Sequence, residues 1–255
     1  MAFVERNFNL VRRYIEWEAV FLAYDVVNAL TIGLIAVGQQ DQRLVLFLVI
    51  GSLMWGFLSV IFNDVSNSIS WERWEGTIEY TLMAPIHRLT HLGGTCMFAV
   101  VYGIIRTVII LIVLSVFFDL DLAKANFLSA AAVLLVSGIS FMGLGILAGI
   151  LPLISPEKGA QATHIFQAGI LLVSGVYYDV SVLPAWLQPA SVISPATYTL
   201  RSVRAALLEG ATLRDVGGDL LILFASALVL LPVGMWGFSR AELWAKKTGK
   251  LKRNG

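Results

Sequence analysis

The amino-acid sequence predicts an all-α integral membrane protein, and two observations lead to that fold class. Apolar residues make up 58% of the 255 positions, whereas only 14% are charged; a soluble domain has about 25% charged residues. Six windows of the sequence are also long and apolar enough for transmembrane helices, which need about 20 such residues. We therefore expect one domain, residues 1–255, with six transmembrane helices.

The composition also limits the classes of function. The net charge is +1, so no overall field favours nucleic acid. The single cysteine, Cys96, excludes an intrachain disulfide. The phosphate-binding motif G-x-x-x-x-G-K-[ST] is missing, and His87 and His91 lack an obvious third metal ligand. We expect no catalytic residue, no bound cofactor and no metal in this chain.

Residues 2–18 have the pattern of an amphipathic helix. Val4, Phe8, Val11 and Ile15 fall on one helical face, and the arginines fall elsewhere. This predicts a helix lying in the plane of the membrane. A plain charged tail is the alternative.

Six apolar windows follow in order. Two prolines, Pro152 and Pro156, are expected to end the fourth helix and bracket a loop. Gly145 and Gly149 form a G-x-x-x-G motif within that helix, which favours close helix packing inside the chain over a dimer contact. The windows are residues 20–37, 44–63, 94–118, 127–151, 161–178 and 220–238.

The polar stretch 66–92, between the second and third windows, also has a helical period. Its apolar residues recur every three or four positions, as expected for one stripe of a helix. Ser68 or Ser70 is expected to cap that helix, and Pro85 to end it at about Ala84. The apolar stripe comprises Trp71, Trp74, Ile78 and Leu82, and the acidic stripe comprises Glu72, Glu75 and Glu79.

The predicted helix has two interpretations. An uncompensated acidic edge beside two tryptophans is suited to a basic protein partner. A helix that lies on the membrane, with its tryptophans at the depth of the lipid headgroups, is the alternative.

Residues 180–210 carry few charges, but three prolines interrupt them: Pro184, Pro189 and Pro195. Irregular backbone at membrane depth survives only where protein buries it or water reaches it. We therefore expect short re-entrant helices before the last span.

The charges of the connecting segments predict the orientation. With six spans, twelve lysines and arginines lie on the side of both termini and five lie on the other side. The positive-inside rule places both termini and the polar stretch in the cytoplasm. The basic tail, residues 239–255, is suited to anionic lipid headgroups.

Arg106 lies near the middle of the third window. A charge at that depth costs a few kcal/mol unless it is paired or hydrated, so it is a candidate functional residue. A structural ion pair that faces the bundle interior is the alternative role. Asp25 and Asp179 are both candidate partners.

Two motifs resemble those of the permease subunit of a type-2 ABC exporter. The first is W-E-R-W-E-G-T-I-E-Y-T-L-M-A-P, starting at Trp71, which is similar to that family's coupling-helix loop. The second runs from Tyr177 through L-P-A-W-L and S-P-A-T-Y to Arg201, and is similar to its extracellular re-entrant helices. The likeness covers nearly the whole chain.

This resemblance implies a homodimer in the cell inner membrane, bound to two copies of an ABC ATPase subunit that hold ATP and Mg²⁺. It implies that the polar stretch is a cytoplasmic coupling helix that contacts the ATPase. The residues expected at that contact are Trp71, Glu72, Arg73, Trp74, Glu75, Thr77 and Glu79.

The resemblance also places the translocation path at the dimer interface, and the cargo is expected to be hydrophobic or amphipathic, such as a lipid or a drug-like molecule. A lipid-linked polysaccharide exporter is one alternative. An ion-coupled secondary transporter is another, although Asp25 and Asp64 lie at the ends of spans and no internal repeat is visible. Candidate path residues are Phe57, Phe62, Phe166, Leu172, Tyr177 and Tyr178.

Overall fold

A computed structural model describes residues 2–84, 88–155 and 158–249, and these residues form α-helices joined by short connections. A short 3₁₀ turn, Val180–Val182, precedes α8. The helices are α1 (Ala2–Arg13), α2 (Ile15–Val37), α3 (Gln42–Glu75), α4 (Ile78–Met83), α5 (Arg88–Phe118), α6 (Phe127–Ile154), α7 (Gly159–Val173), α8 (Gln188–Ile193), α9 (Pro195–Leu208) and α10 (Gly217–Lys247).

Five of the described helices are long and apolar enough to cross a membrane: α2, α3, α5, α6 and α10. The all-helical, multi-pass fold is thus confirmed. The expected fifth span corresponds to α7, which has only 15 residues. At 1.5 Å per residue its length is about 22 Å, less than the bilayer's hydrocarbon core of about 30 Å. Six spans therefore remain a prediction.

Helix α6 lies between α3 and α10 and packs closely against both. A side chain at Gly149 would come within 2.8 Å of Ile69, and one at Gly143 within 2.6 Å of the main chain of Leu230. Only residues without a large side chain allow such short separations. The G-x-x-x-G motif thus serves packing within the chain, since Gly145 also faces α3 at Val65.

The expected end of the fourth span was wrong, because α6 continues through Pro152 to Ile154. Proline lacks the N–H group that would bond the carbonyl of Ala148, four residues earlier. The Thr163 hydroxyl, on α7, lies 3.4 Å from that carbonyl oxygen and 3.0 Å from the carbonyl oxygen of Gly159, so its one proton is shared between two acceptors. A neighbouring helix therefore offers a donor to the carbonyl that the proline leaves without one.

The N-terminal segment is helical but divided. Helix α1 ends at Arg13, and α2 begins at Ile15, so the predicted 2–18 helix is interrupted at Tyr14. Helix α1 packs on α5 through aromatic contacts, including one between the rings of Phe8 and Phe98 with centroids 5.1 Å apart. Its position in the membrane plane stays a prediction.

The proline-rich segment, residues 180–210, forms a 3₁₀ turn and then α8 and α9. Pro189 and Pro195 occupy the first turns of α8 and α9, where a missing N–H group costs nothing. A half-buried arginine, Arg204, joins α9 to α3 and to the residues that follow α7. The re-entrant character of the segment stays a prediction.

The basic tail, residues 239–255, begins as helix, because α10 extends to Lys247. Residues 250–255 lie outside the described part of the chain.

Candidate functional site

The polar stretch forms a corner between two helices, here called the α3–α4 corner and comprising residues 71–83. The prediction of one helix from Trp71 to Leu82 was wrong. Gly76 adopts a φ of 75°, the left-handed conformation that ends helices, and α4 begins two residues later. Ser68 and Ser70 do not cap a helix, because both lie inside α3.

The corner divides the predicted apolar stripe into a buried half and an exposed half. Ile78 and Leu82 are buried in a small core with α5, α6 and α10. Four large side chains remain exposed. Their exposed fractions are 66% for Trp71, 56% for Trp74, 78% for Tyr80 and 77% for Met83. Sequence analysis missed Tyr80 and Met83, although their three-residue spacing indicates one face of a helix.

Glu72 faces inward and joins three helices. Its Oε1 atom lies 3.3 Å from Nε2 of His91 on α5 and 3.5 Å from Nη1 of Arg6 on α1. The ring of Phe3 packs edge-on against His91, with centroids 5.0 Å apart. Glu72 therefore anchors α1 to the end of α3. Arg6 and His91 were not foreseen in this role, because the residues are far apart in sequence.

Arg73 also faces inward, with only 1% of its surface exposed. Its Nη1 atom donates a 2.7 Å hydrogen bond to the Leu153 carbonyl, in the last turn of α6. That turn carries carbonyl groups without intrahelical partners and the negative end of the helix dipole. Glu72 and Arg73 are thus placed to support the corner, and a docked protein would not reach them directly.

The other predicted contact residues lie at the surface. Glu75 and Thr77 are exposed, and Glu79 is half-buried. Together with the four exposed apolar side chains they form a surface with two acidic groups. Pro85 and His87, which the sequence analysis also named, lie outside the described residues.

Arg106 pairs with Asp25. Its Nη2 atom lies 3.0 Å from Oδ2 of Asp25 on α2, and its Nη1 atom donates to the Tyr102 hydroxyl. Asp179, the other candidate partner, accepts a 2.8 Å hydrogen bond from the main-chain N–H of Ser181. That bond lowers the pKa of the Asp179 carboxyl.

The six candidate path residues differ in their exposure, and their role in a translocation path stays a prediction. Phe57 and Phe62 are buried, and Phe62 packs against Phe166 with ring centroids 5.8 Å apart. Leu172 is exposed. Tyr177 and Tyr178 are half-buried.

A large groove lies between α2, α3 and α5 and extends to α1 and α7; it is called the interhelical groove below. Its volume is about 1460 Å³. Along α3 its lining runs from Ser52 to Glu75, which is about 35 Å of helix. The Arg106–Asp25 pair, Phe57 and Tyr177 also line it.

Five apolar helices of spanning length define a multi-pass membrane protein, and the longest of them ends in the α3–α4 corner. A family model, described as ABC-2 type transporter, matches residues 1–208. The chain therefore belongs to the ABC-2 type transporter family, as its two motifs predicted. Members of this family are membrane permease subunits that work with an ATPase subunit. No curated protein matches the chain.

Proposed function

We propose that this chain is the permease of an ATP-driven exporter for a hydrophobic or amphipathic cargo, and that separate ATPase subunits dock on the α3–α4 corner. One observation carries the docking site: α3 is continuous from Gln42 to Glu75. At 1.5 Å per residue it is about 50 Å long, so it extends well beyond a bilayer core of about 30 Å. A force on the corner would act directly on a transmembrane helix.

The chemistry of the corner supports a protein partner. Aromatic and methionine side chains are enriched in interfaces. Here Trp71, Trp74, Tyr80 and Met83 are exposed beside Glu75. The Glu72 and Arg73 contacts connect the corner to α1, α5 and α6, so movement of a docked subunit would be transmitted as movement of helices.

In this proposal both termini and the corner lie in the cytoplasm, at the plasma (inner) membrane. ATP and Mg²⁺ are bound by two ATPase copies, and this chain holds no nucleotide. The twelve-to-five distribution of positive charges supports this orientation.

Photo-crosslinking tests the docking site. A photoreactive amino acid replaces Trp74, at the corner, and in a matched variant Trp186, which is 78% exposed and lies between the 3₁₀ turn and α8. We expect an adduct with an ATPase that carries a phosphate-binding loop from Trp74 and none from Trp186. An adduct only from Trp186 would contradict the proposal.

Charge reversal tests the coupling. The double variant Glu75→Lys/Glu79→Lys should lower cargo-stimulated ATP hydrolysis while the protein remains folded, because both side chains reach the surface. Glu72 is left unchanged, because it pairs inside the protein. Unchanged coupling would count against the proposal. Cargo movement by the chain alone, driven by an ion gradient, would favour a secondary transporter.

We also propose that a second copy packs on α7. That helix exposes Ile165, Phe166 and Leu172. The only native cysteine, Cys96, is buried, so an introduced cysteine can be crosslinked selectively. Leu172→Cys should give a disulfide dimer in membranes, and Val116→Cys, at an equally apolar and 80% exposed position on α5, should not. Dimers from Val116→Cys alone would place the interface elsewhere.

A further inference from the structure

The interhelical groove contains a surplus of acidic groups. Five carboxylates and two guanidinium groups line it. Arg6 lies near Glu72, and Arg106 pairs with Asp25. The Glu18 carboxylate accepts a hydrogen bond from the Tyr102 hydroxyl. Those contacts leave three carboxylates without a cationic partner in the described part of the chain: Glu18, whose bond is to a hydroxyl, Glu75, at the exposed corner, and Asp64, inside the groove.

Asp64 is the unusual member of this set. Its Oδ2 atom is buried and has no hydrogen-bond partner among the described residues. A buried polar group without a partner costs roughly 1–3 kcal/mol, and more when it is charged. The Arg106 guanidinium, whose charge acts on Asp64 through space, is already bonded to Asp25. The geometry thus leaves one carboxylate on the groove wall that a ligand can satisfy.

The rest of the lining favours an amphipathic ligand. The aromatic residues Trp17, Trp55 and Tyr102 line the groove, and aromatic rings attract cations. On α3, Leu53 lies 11 residues before Asp64, about 17 Å along the helix, and it lines the groove, as does Ile32 of α2. A ligand with a charged head at Asp64 would therefore find an apolar wall for its tail.

We propose that the interhelical groove binds amphipathic cations, with Asp64 as the counter-ion of the cationic group. This names the chemical class of the cargo and so rests on the proposed export function. It assigns cargo entry to a groove inside one protomer, formed mainly by α2, α3 and α5, whereas the candidate dimer surface is the exposed face of α7.

Equilibrium binding of tetraphenylphosphonium tests the proposal without ATPase or transport. The purified chain is placed in nanodiscs of neutral lipid at pH 8, and radiolabelled ligand is titrated. Tetraphenylborate, an anion of nearly the same shape, separates charge recognition from apolar partitioning. We expect saturable binding of the cation and only non-saturable uptake of the anion.

Three variants complete the test. Asp64→Asn should weaken cation binding by at least about tenfold, the loss expected when a charged partner is removed. Asp64→Glu should retain most of the binding, because the charge remains. Glu209→Gln, at an exposed position outside the groove, should bind as the unchanged protein does.

Equal binding of cation and anion, or full cation binding by a monodisperse Asp64→Asn protein, would overturn the proposal. Either result would leave ATPase docking untouched, because docking is measured by crosslinking at Trp74. Conversely, loss of the Trp74 adduct alongside intact cation binding would contradict ATPase docking at the corner. It would leave the proposed cation site in the interhelical groove supported.

Discussion

An arginine holds each end of α3, but the two ends are held to different degrees. Near the start of α3, Arg204 donates hydrogen bonds to the carbonyls of Phe47, Gly175 and Val176. Its guanidinium also lies 3.5 Å from the ring centroid of Phe47. At the other end, Arg73 donates one hydrogen bond, to Leu153, and its Nε and Nη2 atoms have no partner among the described residues.

By this difference, the start of α3 is held more strongly than its end, at the α3–α4 corner. Three carbonyl acceptors on two segments hold Arg204 rigidly. A single bond between Arg73 and Leu153 allows α6 and the corner to move relative to each other at lower cost. The exposed aromatic surface lies at the less constrained end, where a docked partner would have the most effect. Four experiments test this comparison.

Arg204→Ala should have the largest effect. It removes three hydrogen bonds and leaves buried carbonyls unpaired, so we expect the free energy of unfolding to fall by about 3 kcal/mol. This free energy is measured by titration with a denaturing detergent, with circular dichroism as the readout. Arg214→Ala, at an exposed position between α9 and α10, is the control and should change stability by less than about 0.5 kcal/mol.

Arg73→Ala should lower the free energy of unfolding by less, about 1–2 kcal/mol, in the same titration. One hydrogen bond is lost, but two buried donors without partners are removed at the same time, which offsets part of the loss. A loss equal to that of Arg204→Ala would remove the distinction between the two ends.

The Arg6–Glu72 pair should contribute still less to the free energy of unfolding. The side chain of Arg6 is 43% exposed and the atoms are 3.5 Å apart, so solvent screens the attraction. A double-mutant cycle with Arg6→Ala and Glu72→Gln should give a coupling energy below about 1 kcal/mol. A much larger value would make α1 a rigid part of the corner.

Trp74→Ala should have the smallest effect on stability, within about 0.5 kcal/mol, because the side chain is 56% exposed. Association with the ATPase, measured by co-purification, should nevertheless drop. Stability loss comparable to that of Arg73→Ala would show that Trp74 belongs to the core and would weaken the docking proposal.

The sequence determined the fold class, because about 20 consecutive apolar residues are suited to a bilayer. It also determined the family, because the motifs around Glu72 and Tyr177 are local. The starts and ends of several helices followed from local signals as well: α2 ends at Val37, as expected, and α6 begins at Phe127.

Only the tertiary structure decided which polar residues face inward. Glu72, Arg73, Glu75 and Glu79 all carry a charge, yet only the first two are buried, because α1, α5 and α6 supply partners for them. Whether a charge on a helix is buried depends on what packs against that face. Contacts between residues 66 or 80 positions apart are set by helix packing, and local periodicity does not encode them.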